Sequence, residues 1–405
     1  MTKFKSDFLN EISERGMLYQ CTDIAGLDAR LSNGKPVSAY WGTDPTADAL
    51  HVGHLASFSI LRIFARHGGK VVILVGGATG MIGDNDKLTE RPPMDEATLA
   101  KNIAGIGRDL ARFFDFKKGA MLVNNYDWFK NIKYMEFLRD VGRHFTINEM
   151  LSKDSVKVRL EKGLPMTYRE FSYSLFQAYD FVHLNREHGV DVQLFGSDQW
   201  GNAIAGVNLG RKLGLQLFGL SNPLVLDSAG KKLGKSEGNA VWLDPSRTSD
   251  FDYYQYFRNV ADADVVNMLK IFTDLPLDEI ERLGKLKDAE INEAKKVLAF
   301  EATKICRGAP AAMAAAETAG SLFSGGADVD AVKSVEIKMP GAMNVVDFAI
   351  AIGMFPSKGE ARRTIEQGGL AIDGKKVSGA DFMVQPSNEM LVQKGKKTFL
   401  KAIVI

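Results

Sequence analysis

The sequence predicts an α/β protein: a doubly wound, parallel-sheet (Rossmann-like) domain, then an α-helical domain, then a small α+β closing segment. Three observations predict it. "KVVILVGG" (70–77) is an unbroken apolar run of the kind buried on both faces of a parallel sheet. Extended and helical stretches alternate through the first two hundred or so residues. From about 250 to 322 the pattern turns to short helices, such as "EINEAKKVLAFEATKICRG", with no convincing strand.

In chain order, "SAYWGTD" (38–44), a helix over 53–67 and the strand over 70–77 make one β-α-β unit. "VDVQLFGSD" (190–198) followed by "QWGNAIAGVNLGRKLG" repeats strand then helix. Residues 1–228 are therefore assigned to the sheet domain, with a connective insertion around 120–190 and ligands expected beyond the carboxyl ends of the strands. A glycine- and lysine-bearing loop occupies 229–245, and the helical domain runs over 246–323. The stretch 324–341 mixes Gly, Asp and Lys without helical period and reads as a linker, leaving 342–405 as a compact closing domain.

With 405 residues, two or three cores are expected, and 45% apolar with 25% charged residues is the balance of a soluble globular protein. No apolar run reaches the length of a membrane span, and "MTKFKSDFLNEISERG" lacks the apolar stretch of a signal peptide. A cytoplasmic protein without a membrane partner is expected; an organellar matrix, after removal of a targeting peptide, would leave no trace in the sequence. Cys21 and Cys306 are too few and too far apart for a disulfide framework or a cysteine zinc site, which suits a reducing compartment. The net charge of +1 announces no nucleic-acid partner, yet residues 341–405 carry nine Lys or Arg against six Asp or Glu.

Two familiar phosphate-binding patterns fail. The glycines of "GGATGMIGD" do not have dinucleotide-binding spacing, and Gly230 and Gly234 have three residues between them where a P-loop needs four. "DPTADALHVGH" (44–54) supplies another way, because a helix N-terminus has unpaired N–H groups and a partial positive charge. Gly53 permits close approach, and His51 and His54, three apart, can both donate to phosphate oxygens. Alone, the pair is equally readable as chance surface histidines; no third ligand of matching spacing favours a metal. In "KKLGKSEGN" (231–239), Lys232, Lys235 and Ser236 sit among glycines, suited to closing over a triphosphate but also readable as a solvated turn. On "FSYSLFQAYDFVHL", Tyr173, Gln177 and Asp180 form one narrow polar stripe on an otherwise apolar helix, which favours a polar pocket.

Together these stretches resemble a bacterial-type tyrosyl-tRNA synthetase, a class I aminoacyl-tRNA synthetase. The similarity runs in order through "YWGTDPTADALHVGH", "LVGGATGMIGD", "NNYDWF", "FLRDVGRHF", "EFSYSLFQAYDF", "GSDQWGN", "KKLGKSEG" and "AVWLDP". The first is similar to the family's His-Ile-Gly-His signature and the seventh to its Lys-Met-Ser-Lys-Ser loop. The closing segment, with "PSKGEARRTIEQGGLAIDGKKV" and "QKGKK", resembles a small RNA-binding fold shared with a ribosomal protein.

The resemblance implies two-step chemistry: tyrosine and ATP give tyrosyl-adenylate and pyrophosphate, and a terminal ribose hydroxyl of tRNA(Tyr) then takes the tyrosyl group. Positioning and charge stabilisation suffice for it. ATP is implied as substrate, with Mg2+ on its phosphates and no protein-only metal site. By matching position, Thr46 and His51 would hold the terminal phosphate, and His54 would support the nucleotide. Lys87, Arg91, Lys232, Lys235 and Ser236 would clamp pyrophosphate. Tyr40 and Asp180 would bind the phenol; Asp84, Tyr173 and Gln177 the ammonium group. Gly42, Asp44, Gly53, Gly196 and Asp198 would line the adenylate and ribose region, as would Gln199, which also reaches the amino acid. Lys358, Arg362, Arg363, Lys375, Lys376, Lys396 and Lys397 would contact tRNA, and a homodimer would form through the region around 125–165.

Three residues depart from the family pattern. Trp41 stands where a small residue, often cysteine, lies beside the ribose; Phe195 replaces a small residue before Gly196; and Leu233-Gly234 fills the middle of the lysine signature. The first two put aromatic bulk near the nucleotide and leave the phenol pocket untouched. The rival readings are a tryptophanyl enzyme or small nucleotidyltransferase, and a catalytically retired RNA-binding protein on the same scaffold. The Tyr40–Asp180 pair disfavours the first, and the retained histidines and lysines the second.

Overall fold

A computed structural model describes residues 3–84, 94–228, 230, 233, 235–236, 239–324, 332, 334–395 and 398–405. Two compact units divide the chain: Met1–Asp244 with Val266–Arg282, and Pro245–Val265 with Leu283–Ile405. Lys87, Arg91, Lys232, Lys396 and Lys397 lie outside the described residues, and only the backbone of Lys235 and Ser236 is described.

The first unit is built on six strands: β1 (Gln20–Cys21), β2 (Ser38–Thr43), β3 (Lys70–Val75), β4 (Ala120–Asn124), β5 (Val190–Gly196) and β6 (Phe218–Asn222). Their order is β1-β6-β5-β2-β3-β4, parallel except for β1. After β2 the chain builds outward through β3 and β4, then returns to the other side of β2 for β5 and β6. The order therefore reverses between β2 and β5, which opens a crevice at their carboxyl ends. β3 is buried from Val71 to Val75, as its apolar run requires. In β2, residues 38–41 are buried and Gly42 is exposed, so the strand delivers its last residues to that crevice.

Helix Tyr168–His188 carries the polar stripe. It starts at a capping box in which Thr167 Oγ1 accepts from the Glu170 N–H while the Glu170 carboxylate accepts from the Thr167 N–H, and it stops at Gly189 in the left-handed region. Leu175, Ala178, Phe181, Val182 and Leu184 are buried along it. The ion pair of Arg159 with Glu170, 2.6 Å and almost fully enclosed, joins the short helix Asp154–Glu161 to its start.

Sequence pattern and structure differ at three places. β1, β4 and β6 were not legible, and β4 falls inside the stretch read as connective insertion. Residues 266–282, read as part of a helical domain, pack with the first unit. There the Arg15 guanidinium donates to the carbonyls of Lys270 (2.9 Å) and Leu275 (2.8 Å), and Asp274 pairs with Arg62 and Arg66. Finally, Ser334–Ile337, inside the expected linker, is a strand. It pairs in parallel with Thr398–Val404, at the edge of the closing five-stranded sheet, placing Ser334 opposite Lys401 and Ile337 opposite Val404.

The second unit contains helices Asp250–Arg258, Ile291–Arg307 and Ala309–Ser324, and then that sheet with helices Val345–Ala351 and Lys358–Glu366. Val345, Phe348, Ile365, Leu370, Val392 and Ala402 form part of its core. Lys358, Arg362, Arg363, Lys375 and Lys376 are exposed on it, with Lys358 2.7 Å from Asp347. Among the described residues no helix is long and apolar enough to cross a membrane.

Candidate active site

A cavity of about 870 Å³ opens at the carboxyl ends of β2 and β5. Tyr40, Gly42, Asp44, Thr46, His51, Gly53, His54, Asp84, Tyr173, Gln177, Asp180, Gly196, Asp198 and Gln199 all line it. Residues spread over 160 positions of sequence thus converge, from strands, from helices and from the loops that carry Asp44, Thr46 and Asp84.

The floor is made by Tyr40 and Asp180, each 1% exposed. Asp180 accepts two hydrogen bonds, from Asn125 Nδ2 (3.0 Å) and Trp128 Nε1 (3.0 Å), one on each oxygen. Burial pushes its carboxyl well above the usual carboxylate range, against the pull of those two donors. Tyr40 Oη is buried without a hydrogen-bond partner, and burial together with Asp180 drives its phenol up as well. The floor therefore offers an uncommitted hydroxyl donor beside a carboxylate with lone pairs to spare. Asn125 and Trp128 lie in "NNYDWF" and no role for them was legible in the sequence. Asn125 also donates to Thr79 Oγ1 (3.0 Å) and accepts from the Ala78 N–H (2.7 Å), so a fully buried amide sets the carboxylate. Trp128 is stacked on His183 at 4.3 Å.

Beside the floor, Asp84 accepts from Gln199 Nε2 (3.3 Å) and Asn202 Nδ2 (3.2 Å), which joins Gln199 to the residues expected to take an ammonium group. Gln177 Oε1 is buried without a hydrogen-bond partner. Tyr173 Oη donates to Asp44 Oδ2 (3.2 Å), and Thr79 Oγ1 donates to Asp44 Oδ1 (2.8 Å). Asp44 is thereby held from both sides, and Thr79 and Asn202 are two more contributors that motif reading missed.

The histidine signature corrects the sequence reading of why that helix end suits an anion. The N–H groups of the first turn of helix Val52–Arg66 are taken: Val52 donates to Val241 O (2.9 Å), Gly53 to His51 Nδ1 (3.0 Å), and His54 and Leu55 to His51 O (2.9 and 3.2 Å). His54 Nδ1 in turn accepts from the His51 N–H at 3.2 Å, so the two imidazoles form a reciprocal capping box. With Nδ1 accepting, the N–H of each ring sits on Nε2. Donors to a phosphate are then two imidazole N–H groups and the helix dipole, rather than bare backbone. Burial, with His51 adding to it, holds the His54 imidazole down to about 3, so it is an uncharged donor.

Gly53 also has a different justification from close ligand approach. A Cβ there would meet His51 Cε1 at 2.8 Å and the Leu233 carbonyl oxygen at 2.9 Å. Leu233, the one described residue in the middle of the lysine signature, is buried and lines the cavity. Its N–H donates to Val225 O (3.3 Å). Residues 241–243 run along the histidines: Leu243 N–H donates to Leu50 O (2.8 Å), and the Trp242 ring lies edge-on to His51 at 6.1 Å. The middle of the lysine signature and residues 241–243 thus both meet the histidine turn.

Trp41 and Phe195 line the same cavity and are each 4% exposed. Trp41 Nε1 donates to Ser57 Oγ (3.0 Å), and its ring meets Phe58 edge-on at 5.5 Å. Its one polar atom is committed, so Trp41 presents only aromatic surface to the cavity.

Residues 32–324 match the family model for class I tRNA synthetases (W and Y). That model covers tryptophan and tyrosine enzymes alike. Residues 326–402 match a tyrosine–tRNA ligase SYY-like C-terminal domain. The tyrosine–tRNA ligase of Wolbachia pipientis subsp. Culex pipiens is 44% identical over 417 residues, covering 99% of either chain. The chain belongs to the tyrosine–tRNA ligase family. It is an aminoacyl-tRNA synthetase. The Rhodospirillum rubrum tyrosine–tRNA ligase is 45% identical, covering 96% of this chain and 94% of the relative. Among solved structures, a C-terminally truncated mitochondrial tyrosyl-tRNA synthetase from Aspergillus nidulans is 32% identical, with a TM-score of 0.70 over 78% of this chain and 94% of that one. A tryptophan-bound tryptophanyl-tRNA synthetase from Encephalitozoon cuniculi, 16% identical with a TM-score of 0.57, shares the fold. The tyrosine–tRNA ligase family thus accounts for both units, the cavity-bearing one and the one that closes the chain.

Proposed function

We propose that this chain activates L-tyrosine with ATP at the β2/β5 crevice and passes the tyrosyl group to the terminal ribose of tRNA(Tyr). The observation that carries this reading is the floor: an unpartnered Tyr40 hydroxyl beside a carboxylate that Asn125 and Trp128 hold in place. A phenol accepts from the first and donates to the second, whereas a phenyl ring leaves the Tyr40 hydroxyl buried and unpaired and offers the carboxylate no third donor. An indole carries no acceptor for Tyr40. The substrate ammonium falls to Asp84, Tyr173 and Gln177, with Gln199 setting Asp84.

The tyrosine carboxylate attacks the α-phosphate of ATP, and pyrophosphate leaves. Thr46 and His51 meet the terminal phosphate, and His54 supports the nucleotide through an uncharged N–H. Lys87, Arg91, Lys232, Lys235 and Ser236 neutralise the charge that grows on pyrophosphate. Mg2+ travels with the ATP phosphates as part of that substrate. Gly42, Asp44, Gly196 and Asp198 flank adenylate and ribose, with Trp41 and Phe195 supplying aromatic walls. No covalent enzyme intermediate enters, so rate comes from placement and charge.

Exposed Lys358, Arg362, Arg363, Lys375 and Lys376, with Lys396 and Lys397, contact tRNA phosphates. A homodimer forms through the apolar surface of Tyr134, Met135, Ile147, Leu160 and Tyr168, which are between 51% and 73% exposed. The protein works in the cytoplasm. ATP–pyrophosphate exchange driven separately by tyrosine, tryptophan and phenylalanine tests the substrate, and charging of total tRNA with labelled tyrosine tests the transfer. Exchange driven by tryptophan and not tyrosine would overturn the reading.

A further inference from the structure

Asn222 closes β6 with an acceptor that nothing in the fold uses. It is 3% exposed and lines the cavity, yet its Oδ1 is buried without a hydrogen-bond partner among the described residues. The amide sits one way round: Nδ2 donates to the Pro223 carbonyl at 3.3 Å, and a carbonyl can only accept, which leaves the oxygen as the uncommitted atom. The backbone around it is tied down. Asn222 pairs with Gly196 in the parallel register of β5 and β6. Leu224 N–H donates to Ser197 Oγ (3.2 Å), and Val225 O accepts from Leu233 N–H (3.3 Å). An orphaned buried amide oxygen costs stability unless a ligand satisfies it, and this one belongs to the wall of a cavity.

The surroundings say which donor fits. Gly196 is a crowded neighbour: a Cβ there would meet Asp198 Oδ1 at 2.8 Å and Ser57 Oγ at 3.8 Å, and Ser57 is the acceptor of the Trp41 indole. Beyond Asn222 the lining is Pro223, Leu224 and Val225, without a charged or polar side chain. ATP carries two kinds of donor, its ribose hydroxyls and the exocyclic amine of adenine. A charged acceptor such as Asp198 suits the hydroxyls. A neutral amide oxygen beside apolar and aromatic residues suits an amine on a flat, largely apolar ring. We propose that Asn222 is a base-reading residue, whose Oδ1 accepts from the exocyclic amine of adenine and so selects ATP over purine nucleotides that lack it. This rests on the reading that ATP binds in this cavity. Guanine presents a carbonyl oxygen where adenine presents the amine, so two acceptors would face each other with no proton between them.

Tyrosine-driven pyrophosphate exchange in the full chain reads the assignment, with ATP and with purine riboside 5′-triphosphate, which differs from ATP only by lacking the amine. Wild type should favour ATP by about tenfold in kcat/KM, the effect of one hydrogen bond to a buried acceptor. In Asn222→Leu, close in volume, and Asn222→Ala, which adds no bulk, the preference should fall below about threefold while KM for tyrosine stays within about twofold. Each preference is a ratio within one protein, so the folded fraction cancels. A wild-type preference near one, or the wild-type preference kept in either variant, would overturn the proposal. So would a change confined to the ratio of ATP to 2′-deoxy-ATP, which would put Asn222 on the ribose. If tyrosine drives no exchange with ATP in the wild type, the ATP reading fails and this one with it; exchange that proceeds with unaltered ratios defeats the Asn222 assignment alone.

Discussion

Replacing Trp128 by phenylalanine removes one hydrogen bond from the carboxylate at the cavity floor and leaves a ring to stack on His183. Asp180 Oδ1 receives its bond from Trp128 Nε1 at 3.0 Å, and Oδ2 its bond from Asn125 at 3.0 Å. A bond to an ionised group is worth about 1.5–3 kcal/mol and a neutral one about 1. Burial pushes Asp180 up, toward the neutral form, so the loss belongs at the lower end, about 1–2 kcal/mol. That corresponds to roughly a 5- to 30-fold fall in kcat/KM for tyrosine. Phenylalanine has no hydroxyl to place, so its feeble activation should not change, and the Tyr/Phe ratio should fall by the same factor. Pyrophosphate exchange measured with each amino acid at saturating ATP reads both numbers, and KM for ATP should stay within twofold. A parallel loss for both amino acids would mean that Trp128 merely supports the structure. No loss at all would mean that its hydrogen bond does not position Asp180.

Trp41→Cys should raise KM for ATP about 5- to 30-fold, the loss of roughly 1–2 kcal/mol of aromatic contact, while tyrosine KM holds; unchanged ATP affinity and inhibitor response would refute an altered ribose subsite. His54, held down to about 3 in the fold against an ordinary 6.5, makes stability complete above about pH 6.5 and progressively lost below it, because the unfolded chain takes the proton first. At pH 4.5 this amounts to about 2–3 kcal/mol, so urea unfolding of His54→Gln should lose less stability between pH 7 and 4.5 than wild type by about that much; identical losses would sink the assignment. Gly53→Ala, whose Cβ would collide with His51 and the Leu233 carbonyl, should cut kcat for activation about tenfold or more, and a wild-type rate would show the turn to be tolerant. Ile147→Asp, at a residue 60% exposed on the apolar surface, should halve the mass seen by light scattering, and an unchanged mass would place the dimer contact elsewhere.

The sequence revealed what local pattern can carry. β2, β3 and β5 read as strands because apolar runs end in Gly and Asp, and the stripe of Tyr173, Gln177 and Asp180 read as a pocket wall because three polar residues share one face of an apolar helix. β4 and β6 did not read: "AMLVN" is a partly exposed edge and "FGLSN", though buried throughout, alternates nothing. "SVEI" is a strand only because the last strand of the chain, sixty-odd residues on, lies beside it. The same holds in the site. Asp180 was legible, but its anchors Asn125 and Trp128 come from 55 and 52 positions earlier, and Asn202 reaches Asp84 across 118. Motif spacing finds groups that meet the ligand; it is blind to the groups that aim them.

The sealed turn of His51 and His54 has a consequence for inhibitor chemistry. Simple oxyanions are often designed toward helix ends because free backbone N–H groups receive them, and here those groups are already engaged. The two imidazoles offer N–H donors instead, and His54 stays neutral down to about pH 3. A ligand therefore needs a well-placed acceptor, not a charge, to engage His54. An uncharged sulfonyl or amide oxygen at the phosphate position meets that requirement, and it crosses a cell envelope far more readily than a phosphate does.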